Sequence, residues 1–298
     1  MRSWNRWHRP GLAAAGITAA GAALALVAGS RRWQRTTEAL VRDLDDGATT
    51  ALDSVAFERL GELPAPVQRY FRLVLRDGQP RIAAAEVRQR GAFRSREGGD
   101  PETGWSPFTA VQRFTAVPPG FVWDARIRMA PLVTVRARDG YVRNRASMRG
   151  EVAALVPVVN AADGPELRAG ALQRWLAEAV WLPTALFPGA GVSWAPMDDT
   201  HARATVTDGR TAVSLEFEFS GEGEIVALRT PARLRAGKDG RYLPAPWGGR
   251  YRRYEEHAGM RLPAEAEVYW VLDGREEPYY RGRNESVAYT FATKGAVP

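Results

Sequence analysis

Residues able to do chemistry are few in this chain, and the scarcity is informative. Cysteine is absent, and past residue 10 the only histidines are His201 and His257. Disulfides, thiolate nucleophiles, cysteine metal sites and a lipid-modified cysteine are thereby excluded. General acid–base chemistry is left to carboxylates and two imidazoles. His257 closes the run Tyr251-Arg252-Arg253-Tyr254-Glu255-Glu256. Either Glu255 or Glu256 orients it as a base, or the run is a strand ladder of alternating Tyr, Arg and Glu with His257 at its end; the ladder is preferred. His201 follows Asp198-Asp199-Thr200 and reads as a turn residue. No zinc-protease, nucleophile-elbow or phosphate-loop motif is present, and Gly189-Ala190-Gly191 runs into Val192-Ser193-Trp194 instead of a dinucleotide fingerprint. Asp43, Asp45 and Asp46 before Gly47 depart from a calcium loop, because the glycine comes one position early and no glutamate closes the loop. No catalytic residue, metal ligand or cofactor is assigned.

Ligand binding is better supplied. The chain has 10 tryptophans, a type suited to lining an apolar pocket. Trp123, Trp175 and Trp270 follow the apolar stripes of their elements and read as core. Trp181 falls off the Leu172–Trp175–Ala179 stripe at helical spacing. Trp247 sits in Pro244-Ala245-Pro246-Trp247-Gly248-Gly249, which reads as a loop. Both suit a ligand edge or a partner surface. Glu178, at the margin of the same helical face, needs an arginine, either Arg174 four residues earlier or one delivered by the sheet. A structural ion pair is the plainer reading, and a polar anchor in an apolar cavity is the functional one. The expected ligand-binding set is Glu178, Trp181, Trp194, Arg229 and Trp247.

The elements that must position these groups follow from periodicity. Gly11–Gly29 has no charge and is flanked by Arg2, Arg6 and Arg9 before and Arg31, Arg32 and Arg35 after. As a helix it spans about 28 Å, the hydrocarbon thickness of a bilayer. It reads as an uncleaved anchor in preference to a secretory signal, whose cleavage site Ala23-Leu24-Ala25 fits loosely. These arginines absorb nearly all of the net charge of +7, so the remainder is close to neutral and offers no basic patch for nucleic acid.

Residues 36–60 read as helix broken at Asp45-Asp46-Gly47, and Pro66 opens a second helix through Leu75. Phe121–Met129 and Val213–Phe219 alternate as half-buried strands. Turns are expected at Asp139-Gly140, Asp208-Gly209, Gly221-Glu222-Gly223, Asp239-Gly240 and Asp273-Gly274. One helix, Pro165–Leu182 with Pro183 as its stop, interrupts the strands. The expected fold is α+β: a strongly curved antiparallel sheet, an incomplete β-barrel covered by helices, plus one N-terminal transmembrane helix. The expected divisions are a basic tail 1–10, the anchor 11–29, a helical linker 30–62, one domain 63–292 and a tail 293–298.

Several segments together resemble a widespread bacterial, membrane-anchored family of unknown function. They are Leu63-Pro64-Ala65-Pro66-Val67-Gln68-Arg69-Tyr70, Leu176-Ala177-Glu178-Ala179-Val180-Trp181-Leu182-Pro183, Val192-Ser193-Trp194, Pro246-Trp247 and Tyr279-Tyr280-Arg281. The resemblance implies no activity. Its strand–helix–strand plan is similar to the incomplete barrels of periplasmic lipoprotein carriers, a likeness of fold only. The leading expectation is a non-enzymatic, membrane-anchored binder of a lipid or other apolar ligand, its domain outside the cytoplasm. Two alternatives stand beside it: an enzyme joining Glu178, Arg229 and His257 in one pocket, and an envelope scaffold with an exposed aromatic patch.

Overall fold

Alternating sequence builds one sheet here, and the helices are fitted to its two faces. The computed structural model describes residues 9–49, 53–95, 98–131, 133–237 and 240–293, without the side chains of 9–20 and 22. Thirteen strands occur among the described residues. The first six are β1 (Ile82–Arg94), β2 (Trp105–Thr115), β3 (Gly120–Ala130), β4 (Val133–Val142), β5 (Arg145–Val152) and β6 (Val156–Ala161). After helix α3 (Pro165–Glu178) come β7 (Val192–Pro196), β8 (His201–Asp208), β9 (Thr211–Phe219), β10 (Ile225–Ala236), β11 (Tyr242–His257), β12 (Met260–Leu272) and β13 (Arg275–Phe291). All pairings are antiparallel, in the order β6-β5-β4-β3-β2-β1-β13-β12-β11-β10-β9-β8-β7. Two meanders are thus sewn together at β1 and β13, leaving β6 and β7 as open edges.

The sheet curls because its apolar face must be covered. Helix α3 touches strands of both meanders, β3 to β5 on one side and β9 and β10 on the other. Its hydrogen bonds fix it inside the curl: the Trp175 indole donates to the Thr115 carbonyl at 3.0 Å, and the Tyr251 hydroxyl donates to the Ala177 carbonyl at 2.7 Å. The α-helix ends at Glu178 and tightens into a 3₁₀ turn at Ala179–Trp181, four residues short of the expected stop at Pro183. Helix α2 (Ala65–Val74) adds Val67, Tyr70, Phe71 and Val74 to the same interior, with Pro66 in its first turn.

Helix α1 (Arg9–Asp46) belongs to the opposite, outer face. Within the stretch expected as a helical linker, the described residues 30–46 of α1 pack against this outer face. Trp33 is buried against the sheet; its indole donates to both Asp124 carboxylate oxygens, at 2.9 and 3.1 Å, and Thr37 donates to Oδ2 at 2.8 Å. The Arg138 guanidinium stacks over the Trp33 ring at 4.7 Å. Ion pairs Asp45–Arg113 and Asp43–Arg143 fasten the far end. Among the described residues no helix is long and apolar enough to cross a membrane; most side chains of Gly11–Gly29 lie outside the described ones.

Two local expectations are corrected. Asp139-Gly140 is not a turn but lies inside β4, facing Met148 and Ser147 of β5. The reversal comes at Arg143-Asn144, both at positive φ (49° and 57°), the backbone of a two-residue hairpin turn. Strand placement is tolerated because Asp139 gains a buried partner there, described below. Pro244–Gly249 is likewise strand and not loop. Cross-strand pairing of β11 with β12 begins only at Trp247–Trp270, so both prolines lie where the strand has one neighbour, a position that tolerates proline.

Candidate ligand cavity

Antiparallel order brings the end of β1, the end of β3, the start of β4, the start of β6, the end of β12 and the start of β13 to one end of the sheet. Inward-facing side chains from those segments, including Phe93, Ile127, Val135, Val158, Val268 and Tyr279, wall a cavity of about 400 Å³. Met129, Met148, Val158 and Val159 are substantially exposed, which makes this end its mouth. The last turn of α3, with Ala177 and Glu178, and the 3₁₀ turn after it, with Trp181, close the floor. On the β13 wall, Tyr280 leans over Gly282 two residues on: a Cβ at Gly282 would lie 2.3 Å from the tyrosine oxygen, so only glycine leaves room for the ring.

One polar cluster interrupts this apolar lining. Arg174 Nε donates to Glu178 Oε1 at 2.9 Å, and its Nη1 donates to Asp139 Oδ2 at 2.6 Å. Gln112 Nε2 donates to Glu178 Oε2 at 2.6 Å. The guanidinium also lies 4.9 and 5.0 Å from the ring centres of Phe121 and Trp123. Burial pushes the Glu178 carboxyl up from its ordinary value, with Arg174 and the Gln112 hydrogen bond pulling against it. Burial works in the same way to pull Arg174 down, but the two carboxylates outweigh it and hold the guanidinium firmly charged. The cluster is an arginine between two carboxylates, an arrangement suited to fixing a polar group.

The five expected residues separate. Glu178, Trp181 and Trp247 line the cavity. Trp181 is buried, its indole donating to the Pro263 carbonyl at 3.1 Å, so it offers no partner surface. Trp247 donates to the Tyr279 hydroxyl at 3.0 Å and is capped by the Arg233 guanidinium at 4.3 Å. Trp194 is elsewhere, packed on Phe217 and Phe219 with its indole on the Leu186 carbonyl. Arg229 pairs with Glu216 at 3.0 Å, its side chain 66 % exposed. His257 faces Glu255 across 3.9 Å, and His201 Nδ1 contacts Asp198 in its turn at 2.9 Å. Glu178, Arg229 and His257 therefore do not share a pocket.

Asp139, Gln112, Tyr280 and Arg233 were not anticipated. The alternation of β2 marks Gln112 only as one residue of a half-buried strand, and Asp139 was masked by its resemblance to a turn. Trp194→Phe should cost about 1–2 kcal/mol by orphaning the Leu186 carbonyl, while Arg229→Ala should stay within about 0.5 kcal/mol. Denaturant titration of both variants checks these values.

The model of a family of unknown function, DUF6544, matches residues 53–282. No match is found among curated protein sequences. Among solved structures, the chain is similar to a LolA superfamily protein from Nitrosomonas europaea, at 9% identity and TM-score 0.34, covering 82% of this chain and 96% of that one. It is also similar to a DUF1329 family protein from Desulfovibrio piger, at 8% identity and TM-score 0.38, covering 70% and 86%. A domain described as that of an outer membrane lipoprotein-sorting protein from Vibrio parahaemolyticus aligns at 5% identity and TM-score 0.37, covering 72% and 88%.

Proposed function

We propose that this chain, which belongs to DUF6544, a family of unknown function, is a non-enzymatic binder of a lipid or lipid-like molecule at the bacterial cell envelope. The observation that carries the reading is the cavity: an apolar space of about 400 Å³, open at one end and closed by a charge-compensated floor. That volume lies within the usual range for small-molecule sites. Aliphatic and aromatic walls favour an acyl or polyprenyl chain through simple area burial. The Arg174–Glu178–Asp139 cluster then supplies a single polar contact at depth, and Arg233 beside Trp247 supplies another on the wall.

Attachment to the membrane rests on Gly11–Gly29 and its arginine flanks. The test is extraction of the full chain, purified in detergent, followed by mass spectrometry of bound lipid. A stoichiometric lipid class, lost when the cavity is filled, is the expected result. Lipid-free protein after gentle solubilisation, with no uptake of added lipid, overturns the reading.

A further inference from the structure

The N-terminal part of helix α1 and the cavity mouth lie at the same end of the sheet. Leu44 of α1 packs over Gly120, at the start of β3. Gly29, about four turns earlier, meets the β5–β6 hairpin: a Cβ there would fall 2.5 Å from the Ala154 carbonyl oxygen. The helix thus runs along the outer face from the mouth end to the far end, and its apolar N-terminal stretch leaves the domain beside the mouth. Polar bonds fix this direction. Arg32 Nη2 contacts Glu151 Oε2 at 2.6 Å and the Ala154 carbonyl at 3.0 Å, both next to the hairpin.

The mouth rim is also where the exposed large apolar side chains gather. Val156 is 59 % exposed, Val158 55 % and, at the start of β11 on the same end, Leu243 57 %. Leu24 and Val27 of α1 continue the surface along the helix, with Arg31 exposed about one turn below Val27 and Arg35 about two. Such a rim is unfavourable in water. Against a bilayer it is the expected arrangement: apolar tips in the acyl boundary and arginines at the level of phosphate groups.

We infer that the β5–β6 hairpin and the start of β11 rest in the bilayer surface from which α1 emerges, so that the cavity opens directly onto the membrane and takes its ligand from there. The docking of α1 on β2 to β4 holds the mouth in this pose without a flexible tether. Contact with the bilayer rests on the membrane-attachment reading of Gly11–Gly29, and entry from it rests on the lipid-binding reading as well.

The chain has no native cysteine, so single labels report cleanly. Val156→Cys, Leu243→Cys and Glu222→Cys, the last in the β9–β10 turn at the far end, are labelled with a fluorophore in the full chain. Each is reconstituted in phosphatidylcholine–phosphatidylglycerol vesicles with and without lipids spin-labelled near the headgroup. Labels at 156 and 243 should be quenched about fivefold more than the label at 222. Equal, weak quenching at all three positions overturns the contact, and a blue-shifted but unquenched label at 156 overturns it in favour of a protein partner. For entry, Val156→Asp/Leu243→Asp changes no residue of the cavity wall. It should slow capture of a fluorescent fatty acid from vesicles about tenfold and leave capture from detergent micelles unchanged. Equal rates from vesicles overturn bilayer entry, whereas no capture from either source overturns the lipid-binding reading itself.

Discussion

Replacing Arg174 by methionine is expected to cost about 3–5 kcal/mol of folding stability, a fall of about 10 °C in Tm. The reason is what stays behind. Glu178 and Asp139 are only 16 % and 11 % exposed, and each has its closest cation in Arg174. Methionine fills much of the same space against Phe121 and Trp123, so lost packing is a small part of the effect. The deficit should depend on pH, with a sign that follows from burial. Burial already raises the Glu178 carboxyl in the wild type, and loss of Arg174 removes the main force opposing it. A carboxyl with a folded value above its unfolded one binds its proton more tightly in the folded state. Its contribution to stability is present below the unfolded value and is lost as pH rises through the folded value. Arg174→Met should therefore be most unstable at neutral pH and recover on acidification toward about pH 5. Arg174→Met/Glu178→Gln should regain about 1–2 kcal/mol at pH 7 over the single variant. Thermal unfolding of the full chain across this pH range measures both. A deficit that is flat with pH and untouched by Glu178→Gln would assign the loss to packing and remove the charge cluster as the organising feature of the cavity floor.

What could be read from the sequence and what could not divide along one physical line. Alternation in Phe121–Met129 and Val213–Phe219 reports burial directly, and both segments are strands with the expected inward faces. The Arg174–Glu178 pair is a property of one helix and was legible from its spacing. Asp139 and Gln112 complete that cluster from β4 and β2, and only the curl of the sheet brings them within reach of α3. Asp139-Gly140 carries a strong local turn signal that tertiary pairing overrides. Pro244-Ala245-Pro246 signals a break, yet prolines cost a strand little where it has a single neighbour. The outer face of β3 shows the same limit. Asp124 alternates outward as if toward solvent, but α1 covers it and makes it the acceptor for Trp33 and Thr37. No local pattern distinguishes an outward carboxylate in water from one beneath a helix whose contacting residues, Trp33 and Thr37, lie 91 and 87 positions earlier in the chain.

Filling the cavity separates ligand binding from folding more sharply than any deletion. Val268 is opposed by Gly249 on β11 and Tyr280 on β13, and its side chain lines the cavity. Tryptophan at this position keeps strand propensity and has existing space to enter, so the empty protein loses little stability. The ligand then competes with an indole for the same volume. An overpacking cost of about 1–3 kcal/mol falls on the complex alone, which corresponds to about ten- to hundredfold weaker binding. Competition titration with a fluorescent fatty acid, alongside mass spectrometry of co-purified lipid, measures it. Removing a wall group, as in Trp247→Ala, is less decisive, because the variant loses core packing and the Tyr279 hydrogen bond along with any ligand contact. If Val268→Trp folds with wild-type Tm and still retains lipid at wild-type affinity, the ligand is not in this cavity. If it folds and is empty, the curl of the sheet around α3 is a container.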